Sequence, residues 1–571
     1  MIPTDHTFTS WDGTVLFYRQ WTPATPSNKA LLLFHRGHEH SARWQETVDA
    51  LGLEDTVVFA WDARGHGRSP GERGSAENIT VMIKDAEAFA RHLVAASGIP
   101  LENMVVMAHS VGAVIASAWV HDFAPPVRGL ILAAPAFRVK LYVPFAVPFL
   151  RLRQALFGPG YVKSYVKAKM LTHDPVQAAA YRADPLIFRQ IAVNILLDLH
   201  DTSTRLIDDA GAFNVPTLLL TAGSDWVVKT GAQQRFFARL SSAVKETETF
   251  PTMSHAVFHE VGRAALVARA RQFIVECFQR PAGATSLVQA DQHGSTKDEF
   301  DRLRGPGAWH FAVTRAAMKT FGRMSRGIAL GWRNGFDSGT TLDYIYENKA
   351  HGITPLGKLI DRMYLDAIGW RGIRVRRQNL EKLLRETIEQ THAAGRPVRI
   401  FDIATGAGRY VLETLHALPQ IPATALLRDY KQENLAAARR TADSLGLANV
   451  TIAFGDAFDL QSYEDLSPSP TIGIVSGLHE LIPDNERVLR SLRGLAAAIA
   501  PGGHLIYTAQ PWHPQVEFIA RVLRNREGQP WIMRRRTQAE MDELVRSVGF
   551  EKVAMEVDPW GIFTVSVARR K

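Results

Sequence analysis

MVVMAHSVGAVIASAW, residues 104–119, decides the reading of the first half of the chain. An apolar run enters a five-residue turn, AHSVG, and a helical pattern leaves it. Small residues on both sides of Ser110 suit a turn too sharp and crowded for bulk, with Ala108 where glycine is commoner. Such a turn lifts a serine oxygen above a sheet, at the N-terminus of the next helix. An ordinary buried serine in a strand–helix turn gives the same five letters, so the motif needs partners to mean more.

Working outward, LLLFH (31–35), VVFAWD (57–62), GLILAAP (129–135) and TLLLTAG (217–223) are short apolar runs ending at loops. Runs of this kind fit buried parallel strands alternating with helices. Serine is a weak nucleophile until a base takes its proton and an acid orients that base. On such a sheet the chain order is serine, acid, histidine. Asp225 follows the strand of 217–223 and His255 follows in a later loop, FPTMSHAVFHE (250–260), so Ser110, Asp225 and His255 stand in that order. His259 is a second candidate base, placed by its spacing inside the following helix. Developing oxyanion charge needs preset N–H donors. The expected pair is Val111, just after the serine, and Gly37, in the loop after 31–35.

HRGHEHSARW (35–44), WDARGHGRSPGERG (61–74), AHSVG, GSDWVV and MSHAVFHE together resemble the monoacylglycerol lipase and lysophospholipase branch of the α/β-hydrolases over roughly residues 5–278. The resemblance implies Ser110, Asp225 and His255 as a catalytic triad, a structural role for DARGHG (62–67), and a lid over about 136–205. One departure is Arg36, where the family usually has glycine after the histidine; it puts the oxyanion loop in question. Between residues 138 and 173 there are seven Lys or Arg and no Asp or Glu, around the apolar YVPFAVPFL (142–150). Basic plus apolar suits an anionic lipid interface, while a lid packed on its own core with solvated charges is the plainer alternative.

Residues 281–299 are small, polar and aperiodic and read as a linker; 300–395 read as helical; a second strand–helix alternation fills 396–571. RIFDIATGAGRY (399–410) is a strand, a Gly-rich loop and a helix start. Gly406 and Gly408 let backbone N–H groups approach a ligand closely, and Val411 stands where a dinucleotide fold would want a third small residue. Asp429 ends the next strand, about twenty residues on, where a carboxylate meets ribose hydroxyls. Asp456 and Ala457 lie at the end of a third strand; His479 and Glu480 follow a fourth, and His513 a fifth.

DIATGAG, LLRD, GDAFD and PGGHL in this order resemble class I S-adenosylmethionine-dependent methyltransferases over roughly residues 395–571. The resemblance implies S-adenosyl-L-methionine as cofactor, with Asp402, Gly406 and Gly408 near its methionine part, Asp429 on the ribose, and Asp456 with Ala457 at the adenine. His479, Glu480 and His513 are candidates for holding the methyl acceptor, each with a structural hydrogen bond as the alternative. The helical 300–395 becomes a cap over the cofactor site. Between residues 302 and 336 it carries seven basic and no acidic residues among several aromatics, again suited to anionic lipid.

Composition bounds the rest. The chain has 571 residues, enough for more than one core, and a formal net charge of +9, which favours anionic partners. The single cysteine, Cys277, forms no internal disulfide and no thiolate metal site is suggested. No signal peptide and no membrane-length apolar run is visible, so the expected compartment is the cytoplasm, with peripheral contact at the inner membrane surface. The sequence therefore predicts an α/β chain of two doubly wound domains, hydrolase over 1–280 and methyltransferase over 396–571, acting on a small-molecule or lipid ester and a methyl acceptor. The competing readings are a methyltransferase with a non-catalytic hydrolase as binding module, and an RNA methyltransferase. The Asn-Pro-Pro-Tyr pattern of nucleobase amino methylation and any recognisable nucleic-acid module are absent from the sequence.

Overall fold

The computed structural model describes residues 1–281, 286–464 and 466–571. It divides into two compact units, Met1–Thr285 and Ser286–Lys571.

The first unit is built on eight strands: β1 Pro3–Thr9, β2 Val15–Trp21, β3 Ala30–Phe34, β4 Val57–Trp61, β5 Met104–His109, β6 Gly129–Ala133, then β9 Thr217–Ala222 and β10 Lys245–Phe250, with a separate pair, β7 Tyr161–Lys163 and β8 Gln190–Ala192, between them in sequence. The sheet order is β1-β2-β4-β3-β5-β6-β9-β10. From β4 to β10 all neighbours are parallel, while β1 and β2 join antiparallel at one edge. Every residue of β3, β4, β5, β6 and β9 is buried, because helices cover both faces of a parallel sheet. The apolar runs of the sequence are these strands. The alternating KETETF of β10 is half exposed at the far edge, which is why it lacks an apolar signature. Helices Ala146–Phe157, Pro175–Ala183 and Val193–Asp208, with β7 and β8, fill the segment between β6 and β9.

Among the described residues the second unit has seven strands: β11 Val398–Ile403, β12 Ala423–Asp429, β13 Val450–Phe454, β14 Ile472–Val475, β15 His504–Ala509, β16 Phe550–Val557 and β17 Thr564–Arg570. Their order is β13-β12-β11-β14-β15-β17-β16, parallel up to β15, with β17 inserted antiparallel beside it. The order reverses at β11, and loops at the strand ends there form the crevice in which ligands of open sheets bind. Six helices from Ser295–Arg304 to Ile368–Ala393 precede the sheet. The last five of them share a core cluster with Phe563, Val522 and Leu523 from the sheet half.

The linker expected over 281–299 differs from this in part. Its residues 282–285 lie outside the described residues. From Ser286 onward the chain is tied into the second unit: Ser286 Oγ and the Leu287 N–H donate to Glu543, and Asp291 accepts the N–H of Asn485 at 2.8 Å. A small polar composition reads as solvated linker, but here its polar groups serve as docking bonds.

Candidate active sites

In the first unit the chain passes through Ser110 with φ 55° and ψ −114°, a conformation that L residues seldom adopt. Two features enforce it. The Ser110 N–H donates to Ala133 O at 3.0 Å across the sheet, and Gly112 packs so tightly that a Cβ there would stand 2.3 Å from His35 O. The helix Val111–Phe123 therefore seats directly on the end of β3, and only glycine fits the contact.

The predicted partners converge on the serine. His255 Nε2 lies 2.7 Å from Ser110 Oγ, and His255 Nδ1 lies 2.8 Å from Asp225 Oδ2. Asp225 Oδ1 accepts the N–H groups of Val227 and Val228 at 2.7 and 2.9 Å. Burial alone would raise the Asp225 carboxyl, but His255 and these N–H donors hold it below its ordinary value. An anionic carboxylate only accepts, so the imidazole proton sits on Nδ1 and Nε2 is free to accept from the serine hydroxyl. All three side chains are buried. His259 is elsewhere: it belongs to a short 3-10 turn, Val257–His259, and its Nε2 bonds Arg43 O, so it neither enters the following helix nor reaches the serine. His109 was missed by the sequence reading. Its Nε2–H donates to His255 O at 2.9 Å and fixes the backbone of the base. Its position beside Ser110 was the available signal.

The loop after β3 is held from several sides. His35 accepts the Ala63 N–H and bonds Arg36 O; Asp62 accepts the Ser41 and Arg68 N–H groups, consistent with a structural DARGHG turn. Arg36 is buried, donates to Glu39 at 2.7 Å, and lies with its guanidinium carbon 4.9 Å from the centre of the Tyr181 ring. Burial would push the Glu39 carboxyl up, but Arg36, His259 and Arg43 hold it well below the usual range. Gly37 rests against Val111: a Cβ on it would come 3.1 Å from Val111 Cγ2. The two expected oxyanion donors are thus neighbours, and Arg36 is anchored by its own partners.

In the second unit a cavity of about 1170 Å³ lies between the helical cap and the strand-end loops. Its lining includes Gly406, Gly408, Tyr410 and Asp429 on one side and Tyr364, Trp370, Trp531 and Phe563 on the other. Gly406 has φ 60°, and a Cβ on it would meet nothing within 4 Å, so the loop presents open backbone to the cavity. Asp429 Oδ2 accepts the Gly406 N–H at 2.9 Å, and Oδ1 accepts the Lys431 N–H and Asn434 Nδ2, so Oδ1 is filled and Oδ2 keeps capacity for one more donor. Asp402 is fully buried behind this loop. Its Oδ2 accepts from Thr405 and Tyr410, while Oδ1 has no partner. Burial, with a smaller push from Asp429, raises its carboxyl to about 7 against those hydrogen bonds.

Other predicted residues are placed differently. Asp456 is exposed, bonds the Phe458 N–H in its own turn, and with Ala457 stands outside the cavity lining. His479 is also outside the lining: it is buried against Ser491, and burial with Arg536 lowers it to about 3. Glu480 and His513 do line the cavity. The Gly477 N–H donates to Thr508 Oγ1, and Thr508 donates to Glu480 Oε1 at 2.7 Å, leaving Oε2 buried without a partner. His513 Nδ1 accepts the Gln515 N–H at 3.0 Å, so its proton is on Nε2 and it acts as a donor. Burial, with Arg535, lowers it to about 3, so it stays neutral. Arg376 and Tyr410 line the cavity and were not foreseen; Tyr410 ended the quoted Gly-rich motif and could have been.

Fold and sites define a chain of two enzyme-type units, an α/β-hydrolase followed by a methyltransferase. The chain belongs to the family described as "Putative methyltransferase", whose model matches residues 270–570, more than half of the sequence. Residues 25–262 match the model described as serine aminopeptidase, S33. The chain is 46% identical to the uncharacterized protein YnbC of Escherichia coli (strain K12), over 100% of this chain and 99% of that one. Its first half is 26% identical to a monoacylglycerol lipase of Mycolicibacterium smegmatis, over 45% of this chain and 91% of that one. Among solved structures, the Paleococcus ferrophilus monoacylglycerol lipase matches at 21% identity, covering 46% of this chain and 99% of that one, with a TM-score of 0.42.

Proposed function

We propose that the chain is a bifunctional enzyme, a serine ester hydrolase fused to an S-adenosylmethionine-dependent methyltransferase, acting on lipid or lipid-like substrates. The observation that carries the hydrolase is the unbroken Ser110–His255–Asp225 chain at 2.7 and 2.8 Å. In it His255 Nε2 takes the Ser110 proton as Oγ attacks an ester carbonyl. Asp225 holds the imidazole and balances its charge, and the N–H groups of Gly37 and Val111 receive the oxyanion. His255 returns the proton to the leaving alcohol, and water releases the acyl group by the same route.

For the second unit, the residues fit an S-adenosylmethionine site on two observations: the orphaned Asp402 Oδ1 behind the Gly-rich loop, and the cavity facing open Gly406 backbone. Gly406 and Gly408 would border its methionine part and Asp429 would accept a ribose hydroxyl at its open Oδ2. The bound donor would supply an electrophilic methyl group. This chain's residues do the positioning, which provides most of the rate in an in-line displacement. Glu480, with its free Oε2, is the residue suited to accept an acceptor's proton, and His513 the one suited to donate to it.

Lipid-like substrates are supported by the lipase relatives and by an exposed apolar lid: Phe145 is 83% and Phe157 78% exposed beside Arg151 and Arg153. The protein would work as a peripheral visitor to an anionic inner membrane surface; among the described residues no helix is long and apolar enough to cross a membrane. A fluorophosphonate should label the protein at Ser110 and fail to label Ser110→Ala, and calorimetry should detect S-adenosylmethionine binding. Absence of both would overturn the reading. The rival reading, a non-catalytic hydrolase, rested on Arg36; anchoring of that side chain by Glu39 and Tyr181 argues for an intact loop.

A further inference from the structure

The helix Trp309–Thr320 in the cap has no buried residue. Its inner side, Phe311 and Met318, is half-buried against the cap core. Its outer side carries Trp309, Ala312, Val313, Ala316 and Ala317, and Phe321 follows, a spacing of three and four that makes one apolar stripe. Trp309 is 78%, Val313 57% and Phe321 69% exposed. A second cap helix, Pro355–Leu365, repeats the pattern: Leu356, Leu359 and Met363 share one face and are all exposed, and Ile353 precedes them. A single exposed leucine means nothing, but two cap helices with exposed stripes of this kind need a cover.

Charge says what the cover is. Residues 302–362 hold ten Lys or Arg and four Asp or Glu. Of the four acids, Asp361 is fully buried under bonds from Ser325 and the Gly327 N–H, Asp337 is paired with Arg526, and Asp343 with Arg409; only Glu347 is exposed. Lys319, Arg323, Arg326, Lys349 and Lys358 stay exposed around the stripes. Apolar stripes with a tryptophan and a basic surround match the boundary between headgroups and acyl chains of an anionic bilayer. The surface also continues inward. Met318 and Met363 belong at once to these helices and to the lining of the cavity.

We propose that the outer face of Trp309–Phe321 and Ile353–Met363 docks on an anionic lipid bilayer, and that the methyl acceptor is an amphipathic lipid passing from that bilayer into the cavity. The acceptor part rests on the methyltransferase reading; the docking part does not.

The test is co-sedimentation of the full chain with vesicles of phosphatidylcholine alone or with phosphatidylglycerol. The protein should sediment with the phosphatidylglycerol vesicles and be released by salt. The triple variant Trp309→Ser/Val313→Asp/Phe321→Ser, with unchanged circular dichroism and thermal midpoint, should bind at least about tenfold more weakly. A lid variant, Phe145→Ser/Phe149→Ser, serves as the control: if it alone abolishes binding, the cap is not the docking face. Equal binding of the cap triple, no binding of the parent, a dimer that the cap triple dissolves, or competition by single-stranded RNA in place of lipid would each overturn the docking. Calorimetry with S-adenosylmethionine separates the two ideas: vesicle binding without donor binding keeps the docking and removes the methyltransferase reading. Donor binding without vesicle binding does the reverse.

Discussion

At the scale of single residues, Asp402 and Glu480 make the sharpest predictions. Asp402 titrates near 7 in the folded chain against an ordinary 3.8, because its charge is buried. Between those values the unfolded carboxylate loses its proton while the folded one keeps it, so the contribution to stability falls as pH rises and levels off above 7. Thermal unfolding of Asp402→Asn should therefore lack a loss that the parent shows between pH 5 and 8, on the order of 2–3 kcal/mol. Identical pH dependence in both proteins would show that the charge is not confined. A cationic donor beside Asp402 would also lower its pKa. Binding near pH 6 should then release protons, read as a heat that varies with buffer ionisation enthalpy. Glu480→Gln keeps the shape and the Thr508 contact but removes the proton acceptor. It should leave S-adenosylmethionine affinity within about twofold and slow methyl transfer by about 10²-fold or more. Loss of donor affinity instead would assign Glu480 to the cofactor pocket.

At the scale of elements, the loop after β3 shows how a sequence departure is absorbed. Arg36 stands where glycine is usual, and it is tolerated because Glu39, three residues on, and Tyr181 from the lid helix Pro175–Ala183 receive it. Arg36→Ala would remove the 2.7 Å ion pair of the buried Glu39 and leave it the looser one to Arg43 at 3.4 Å, and should cost about 3 kcal/mol. In Arg36→Ala/Glu39→Ala the charge is gone, so the double variant should be less damaged than the sum of the singles by more than about 1 kcal/mol. Additive losses in denaturant titrations would mean that the pair does not couple. The run MRRRT (533–537) gives the opposite lesson. Its three successive arginines are all buried: Arg534 pairs with Glu540, Arg535 with Glu299, and Arg536 donates to the carbonyls of His479 and Ile482. Apart from Glu540 these partners are distant in sequence, so no local pattern could show that Arg535 and Arg536 brace the structure.

At the scale of the whole molecule, each unit has its own sheet and its own core clusters. Ser110, Asp225 and His255 all belong to the first unit, and the cavity around Gly406 and Asp429 is lined by residues of the second, so each site is assembled by its own unit. Protein fully labelled at Ser110 by a fluorophosphonate should bind S-adenosylmethionine with unchanged affinity. A shift beyond about threefold would reveal coupling between the two sites.

The sequence by itself determined the two α/β units, most of the parallel strands, and the order of the Ser110, Asp225 and His255 set. These follow from local patterns: apolar runs of strand length, glycines where backbone must turn, and chain order on a known kind of sheet. It also placed Gly406, Gly408 and Asp429 at one strand-end crevice. Only the tertiary structure decided which of several plausible polar residues reach Ser110 or line the cavity. His259, His479 and Asp456 bear the right chemistry at reasonable positions, but each side chain is turned to another partner, and side-chain direction depends on packing between distant segments. The same is true of the free Glu480 oxygen, of His109 behind the base, and of the apolar face of the cap. A periodic apolar pattern announces a helix, but whether its stripe faces a core or the outside is settled only when everything else has packed.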